Sequence, residues 1–129
     1  MSLSDHAVSA VMATADMDKA RDFYEGKLKL PVESDNTPEG PVTYACGEGS
    51  VISVYLSPEH AGKSTATMAA WAVEDVEALV DELSANGISF ERYDQPELQT
   101  NEKGIVEGDG FKIAFMRDPD GNTHALNGS

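Results

Sequence analysis

Three histidines, one cysteine and a scatter of carboxylates are the residues of this chain that could hold a metal or move a proton. His6, His60 and His124 stand apart and repeat no ligand spacing, so they form no metal constellation of their own. His6, near the polar N-terminus, and His60, in a polar segment, are expected at the surface. His124 is expected to turn toward the helix side of its strand, where a structural hydrogen bond suits it better than catalysis. Cys46 lies in a strand-like run without a histidine partner and reads as a structural thiol rather than a nucleophile. For acid–base work the candidates are Tyr55, Glu91, Tyr93, Glu97 and Glu102. No two carboxylates recur at a spacing that would pair an acid with a base.

Elements that could position these residues follow from the apolar periodicity. A helix is expected from about Met17 to Lys29, capped by Asp16, with Met17, Ala20, Phe23, Tyr24 and Leu28 on one stripe and Pro31 ending it. A second runs from about Val76 to Asn86, capped by Asp75 and closed by Gly87. Strand-like runs cover Ala7–Ala13, Val42–Cys46 and Val51–Leu56, then Thr67–Val73, Ser89–Tyr93, Lys112–Met116 and Thr123–Asn127, with a short addition at Pro31–Glu33. The order is strand, helix and three strands, written twice. A shift of 59 residues lays Asp16 on Asp75 and Met17 on Val76, keeping both caps and both stripes in phase. Such a repeat predicts an α+β fold: two βαβββ modules forming one curved, cup-shaped mixed sheet with helices outside. The expected layout is a single domain over 1–129, with modules at about 6–56 and 67–129 joined by a linker at 57–66. Residues 94–110 read as a polar loop, either a lid or a disordered connection.

Bulk properties narrow the partners. The chain has 129 residues, 40% of them hydrophobic, enough for one core. Its 9 basic and 23 acidic residues give a net charge of -14, which repels phosphate backbones and excludes nucleic acid as a ready partner. A cationic small molecule would be attracted. No apolar run is long enough for a membrane span. Residues 1–6 do not open like a secretory signal, and one cysteine makes no disulfide framework, so a cytoplasmic location is expected.

Three stretches together resemble a known family. Asp16 to Tyr24 with Lys27 and Leu28, then Val73 to Val76, then Asp118 to Asn122 are similar to the opening, second helix and final hairpin of the glyoxalase, bleomycin-resistance and extradiol-dioxygenase superfamily, also called vicinal oxygen chelate. That resemblance implies paired βαβββ modules forming a cup. It also implies, for the family's enzymes, a divalent metal held by two residues from each module, usually His, Glu or Gln. The family's first ligand lies seven residues before the capping Asp, which gives Ser9 and Met68 here. Its other ligands lie four residues after the turn glycine, which gives Ser53 after Gly49 and Ala125 after Gly121. None of these four suits a divalent metal. The resemblance further implies dimerisation, so a homodimer is expected.

Alternation along the strands then predicts the lining of the cup. Ser9, Val11 and Ala13, Ser53 and Tyr55, Ala66, Met68 and Ala70, and Thr123, Ala125 and Asn127 face inward. Ile52, Val54, Leu56, Trp71 and Leu126 face the helices. The expected function is small-molecule binding without metal or other cofactor, by Ser9, Val11, Ser53, Tyr55, Met68, Ala70 and Ala125. The alternatives are a lyase, isomerase or dioxygenase with a displaced metal or metal-free acid–base residues, and a vestigial cup that serves protein interaction.

Overall fold

In the computed structural model, which describes residues 2–129, the chain divides between Lys63 and Ser64 into two units. Strand β1 (Ala10–Thr14) opens the first. The Asp16 carboxylate then accepts the N–H groups of Asp18 and Lys19 at 3.0 and 3.3 Å, satisfying the otherwise orphaned donors that start α1 (Met17–Arg21). The sequence predicts one continuous helix to Lys29, but the chain widens into a π turn over Asp22–Lys27, where the Leu28 N–H reaches the Phe23 carbonyl at 2.9 Å. This wider turn buries the adjacent rings of Phe23 and Tyr24 together. Lys29, at φ 60°, ends the helix before Pro31 is reached.

Strands β2 (Val32–Asp35), β3 (Val42–Ala45) and β4 (Val51–Leu56) complete a sheet in the order β1-β4-β3-β2, with β1 and β4 parallel. Polar bonds identify its helix face. The Tyr44 hydroxyl donates to Glu25 at 2.8 Å, and Arg21 donates to Glu25 at 3.0 Å and to Asp35 at 2.6 Å. Tyr44 stacks on Tyr24 with ring centroids 5.7 Å apart. Burial and the Glu25 carboxylate both push the Tyr44 phenol pKa up. Met12, Val42, Ile52 and Val54 are buried with them. Leu56, expected toward the helix, is 53% exposed, because it closes the strand.

The second unit repeats the plan with β5 (Thr67–Val73) and α2 (Val76–Ala85), whose cap Asp75 accepts the Ala78 N–H at 3.0 Å. Its sheet runs β5-β10-β9-β8, from β8 (Ile105–Gly108), β9 (Phe111–Arg117) and β10 (Thr123–Gly128). Here a strand forms where the sequence reading placed a loop. Residues 89–93 contribute only a Phe90–Met116 bridge. Residues 94–110 form neither an open lid nor an unstructured connection: they make a small hairpin, β6 (Asp94–Gln95) and β7 (Leu98–Gln99), followed by β8. The tight Asp109–Gly110 turn, with Gly110 at φ 76°, brings β8 directly back onto β9. The Lys112 ammonium lies 3.6 Å from Glu77 of α2, which marks the helix face. Ala114, Met116, Leu126 and Ile105 are buried with Val76, Val80 and Leu83. Among the described residues, no helix is long and apolar enough to cross a membrane.

His124 sits on this helix face, fully buried. The Trp71 indole N–H donates to its Nδ1 at 3.1 Å, so that nitrogen is an acceptor and the ring is neutral. The sequence expectation of a structural hydrogen bond therefore holds, and Trp71, half-buried, lies on the helix face as expected. At the other end of β10, the Ser129 carbonyl accepts the Val76 N–H at 3.1 Å.

Two outcomes follow from this packing. A Cβ on Gly128 would overlap the Val73 carbonyl oxygen, so Gly128→Ala is expected to destabilise the protein by about 2–4 kcal/mol. An unchanged urea midpoint would show that the end of β10 can shift at no cost. Burial pulls the His124 pKa from 6.5 down to about 4, against the opposing charge of Asp118. The unfolded chain therefore takes up the proton first as acid is added. Stability tied to this ring is complete above about pH 6.5, falls as pH drops toward 4, and totals about 3 kcal/mol. The readout is the part of acid destabilisation that His124→Gln removes. If wild type and variant lose stability in parallel, the buried ring does not titrate this way.

Candidate functional site

Each unit has a sheet face that its own helix does not cover, and each of these faces carries its own candidate residues. In the first unit the ladder sets Val11 beside Ser53 and Ser53 beside Thr43, with Ala13 beside Tyr55. Side chains of paired residues share a face, and this one is opposite Tyr44 and Val54. Val11 is 51% exposed and Tyr55 37%. The Ser53 and Thr43 hydroxyls are hydrogen-bonded at 2.9 Å. Thus Val11, Ser53 and Tyr55 come together, joined by Thr43, which sequence reasoning missed. Ser9 lies just before β1, exposed and outside the ladder.

In the second unit Ala70 pairs with Ala125, and Ala125 with Phe115. Phe115 meets Tyr93 edge-on, with ring centroids 5.9 Å apart and planes at 85°. Met68 is the extra residue of a β-bulge, since Thr67 pairs with Thr123 and Ala69 with His124. It remains 41% exposed. Ala125 and Thr123 are both buried, and the Thr123 hydroxyl has no hydrogen-bond partner. Phe115 was also missed. Its alternation with buried Ala114 and Met116 was the available signal.

The acid–base candidates do not assemble. Glu91 is drawn to Arg117 at 3.5 Å, Glu97 is exposed in the turn between β6 and β7, and Glu102 is exposed in a later turn. His60 accepts or donates locally with Ser57 at 2.9 Å. Cys46 is half-buried at the end of β3, and burial pushes its thiol pKa up, which suppresses the thiolate. Among the described residues, no group of three or more His, Cys, Asp or Glu could hold a metal ion. A groove of about 520 Å³ lies against α2, floored by Val80, Ile88 and Phe90 and rimmed by Asp81, Arg92 and Glu102. It opens on the helix side of the second unit, away from Ala70 and Ala125.

Comparison with known proteins places this geometry. Residues 4–126 match the family model of the Glyoxalase/Bleomycin resistance protein/Dioxygenase superfamily. The fold is shared with UcmS2, at a TM-score of 0.72 and 21% identity, covering 96% of this chain and 99% of that one. A bleomycin-binding protein complexed with bleomycin gives 0.70 and 17%, covering 96% and 98%. TnmS3, an antibiotic binding protein from Streptomyces sp. CB03234, gives 0.62 and 18%, covering 95% and 94%. No protein of curated function matches the sequence significantly.

Proposed function

Given that this chain belongs to the glyoxalase/bleomycin resistance protein/dioxygenase superfamily, we propose that it captures a small molecule on a sheet face that a unit's own helix leaves uncovered, without a metal ion and without breaking a bond. One observation carries the reading. At the positions that the family resemblance assigns to its enzymes' metal ligands, this chain has Ser9, Ser53, Met68 and Ala125. Ser9 stands outside the ladder, and the Ser53 hydroxyl is already bonded to Thr43. Met68 offers a thioether and Ala125 a methyl. Zn, Ni, Mn and Fe(II) favour imidazole, carboxylate or thiolate donors, so these residues do not fit the group.

What remains on those faces suits binding. Val11, Tyr55, Met68 and Ala70 supply apolar surface, with hydroxyls at Ser53 and Tyr55. Two structures of the same fold are named for antibiotic binding, which supports an antibiotic-like guest. A net charge of -14 would draw a cationic one from a distance. The chain acts in this reading as one domain of two modules, at about 6–56 and 67–129, in a cytoplasmic homodimer.

Protein purified without chelator is expected to carry no bound metal and to show no thermal shift on adding Ni, Zn, Mn or Fe(II). Near-stoichiometric metal with a clear shift would overturn the metal-free reading. Calorimetry with cationic antibiotics, starting with bleomycin, is expected to show saturable binding. Met68→Trp should weaken it by about tenfold or more while the protein stays folded. Unchanged affinity in that variant would place the guest elsewhere.

A further inference from the structure

We infer that the groove against α2 binds a compact zwitterion of the α-amino-acid class, with its carboxylate on Arg92 and its ammonium on Glu102. The groove lies wholly within the second unit, on the helix side, and is separate from the sheet face of the binding reading above. The first argument is that the groove is built. One wall is the turn at 101–104, which three separate contacts fix. The Asn101 side-chain carbonyl accepts the N–H groups of Lys103 and Ile105 at 2.9 and 3.0 Å. Gly104 is buried against Phe90. The Lys103 ammonium reaches across to α2 and lies 3.1 Å from both Glu77 and Asp81. The facing wall is α2 itself, with Asp81 and Ser84, and the volume between is about 520 Å³. Pockets of a few hundred Å³ suit small molecules, and a wall fixed beforehand does not have to be ordered when one arrives.

The second argument is charge. The charged side chains of the lining are Asp81, Arg92, Glu102 and Lys103, two of each sign. Asp81 and Lys103 already meet each other. Arg92 and Glu102 are both exposed, and neither has an ion pair among the described residues. Arg21 and Arg117 are each held by a carboxylate of the chain, whereas Arg92 is open to one from a guest. The planar fork of a guanidinium matches a carboxylate with two parallel hydrogen bonds. A simple anion would answer Arg92 alone, against a protein of net charge -14. A simple cation would answer Glu102 alone and lie beside the Arg92 guanidinium. A guest with both charges answers both groups and brings no net charge with it.

The third argument is size. Val80, Ile88 and Phe90 are 1%, 6% and 9% exposed, so the floor gives a shallow apolar contact. Such a floor suits a short aliphatic side chain better than a large ring system. Ser84 and Ser89 are exposed in the lining, and a hydroxyl donates to a carboxylate or accepts from an ammonium equally well.

The test titrates ¹⁵N-labelled protein with L-leucine, with 4-methylpentanoate, which lacks only the ammonium, and with 3-methylbutylamine, which lacks only the carboxylate. Leucine is expected to shift the amides of Ser84, Ser89, Arg92 and Glu102 and to bind about threefold to tenfold more tightly than either relative. Arg92→Gln, at an exposed position, should weaken leucine by about the same factor and leave 3-methylbutylamine unchanged. Glu102→Gln, also exposed, should weaken leucine likewise and leave 4-methylpentanoate unchanged. Equal affinity for leucine and either relative would overturn the zwitterion inference. So would leucine shifts confined to Ala70 and Phe115 on the opposite face, or no saturable shift at all. None of these outcomes touches the metal-free capture reading, which concerns the other side of the sheet.

Discussion

Both units depend on a carboxylate at the start of a helix. Asp16 and Asp75 each hold helix N–H groups that have no partner in the chain's own ladder. Each stands two positions after the last residue of its unit's first strand, and that spacing decides where the helix begins to cross the sheet. Once the helix lies on one face, the pleat does the rest. Residues of one parity are sealed under apolar side chains, and those of the other are left to face something else. The chemistry available to the protein is the chemistry of that second set.

The two units solve the same packing problem differently. In the first, a π turn and two tyrosines thicken the layer between helix and sheet, and Arg21 ties the helix to Asp35 at the sheet edge. Hydrogen bonds from Thr37 and Arg21 hold the Asp35 carboxyl down at about 2, so the tie stays charged through ordinary pH. In the second, a regular ten-residue helix packs directly on the strands, and the Trp71 indole N–H donates to the buried His124 ring. Uncovered faces differ accordingly. Hydroxyls bonded to each other dominate the first, while small apolar residues and a ring pair dominate the second.

Much of this was legible in the residues themselves. A capping Asp before an i, i+3, i+4 stripe states where a helix begins, and β4 and β5 emerge with their expected bounds. Period-two alternation placed Ser53 and Tyr55 on one face and His124 on the other. What failed has physical causes. Adjacent Phe23 and Tyr24 look alike on a stripe whether the turn is regular or widened, so the π turn left no mark. β8 is short and half polar, giving too few alternations to detect, although the Asp109–Gly110 turn announced a hairpin. Phe115 carried an alternation signal of its own, whereas Thr43 became visible only through register, since the partner of a residue is a property of two strands. The bulge at Met68 is of the same kind: it exists in the mismatch between β5 and β10.

The bond from the Val76 N–H to the Ser129 carbonyl joins the end of the last strand to the first turn of α2. β10 is an inner strand, laddered to β5 on one side and to β9 on the other. A pull applied at Ser129 therefore loads both of these ladders in shear at once.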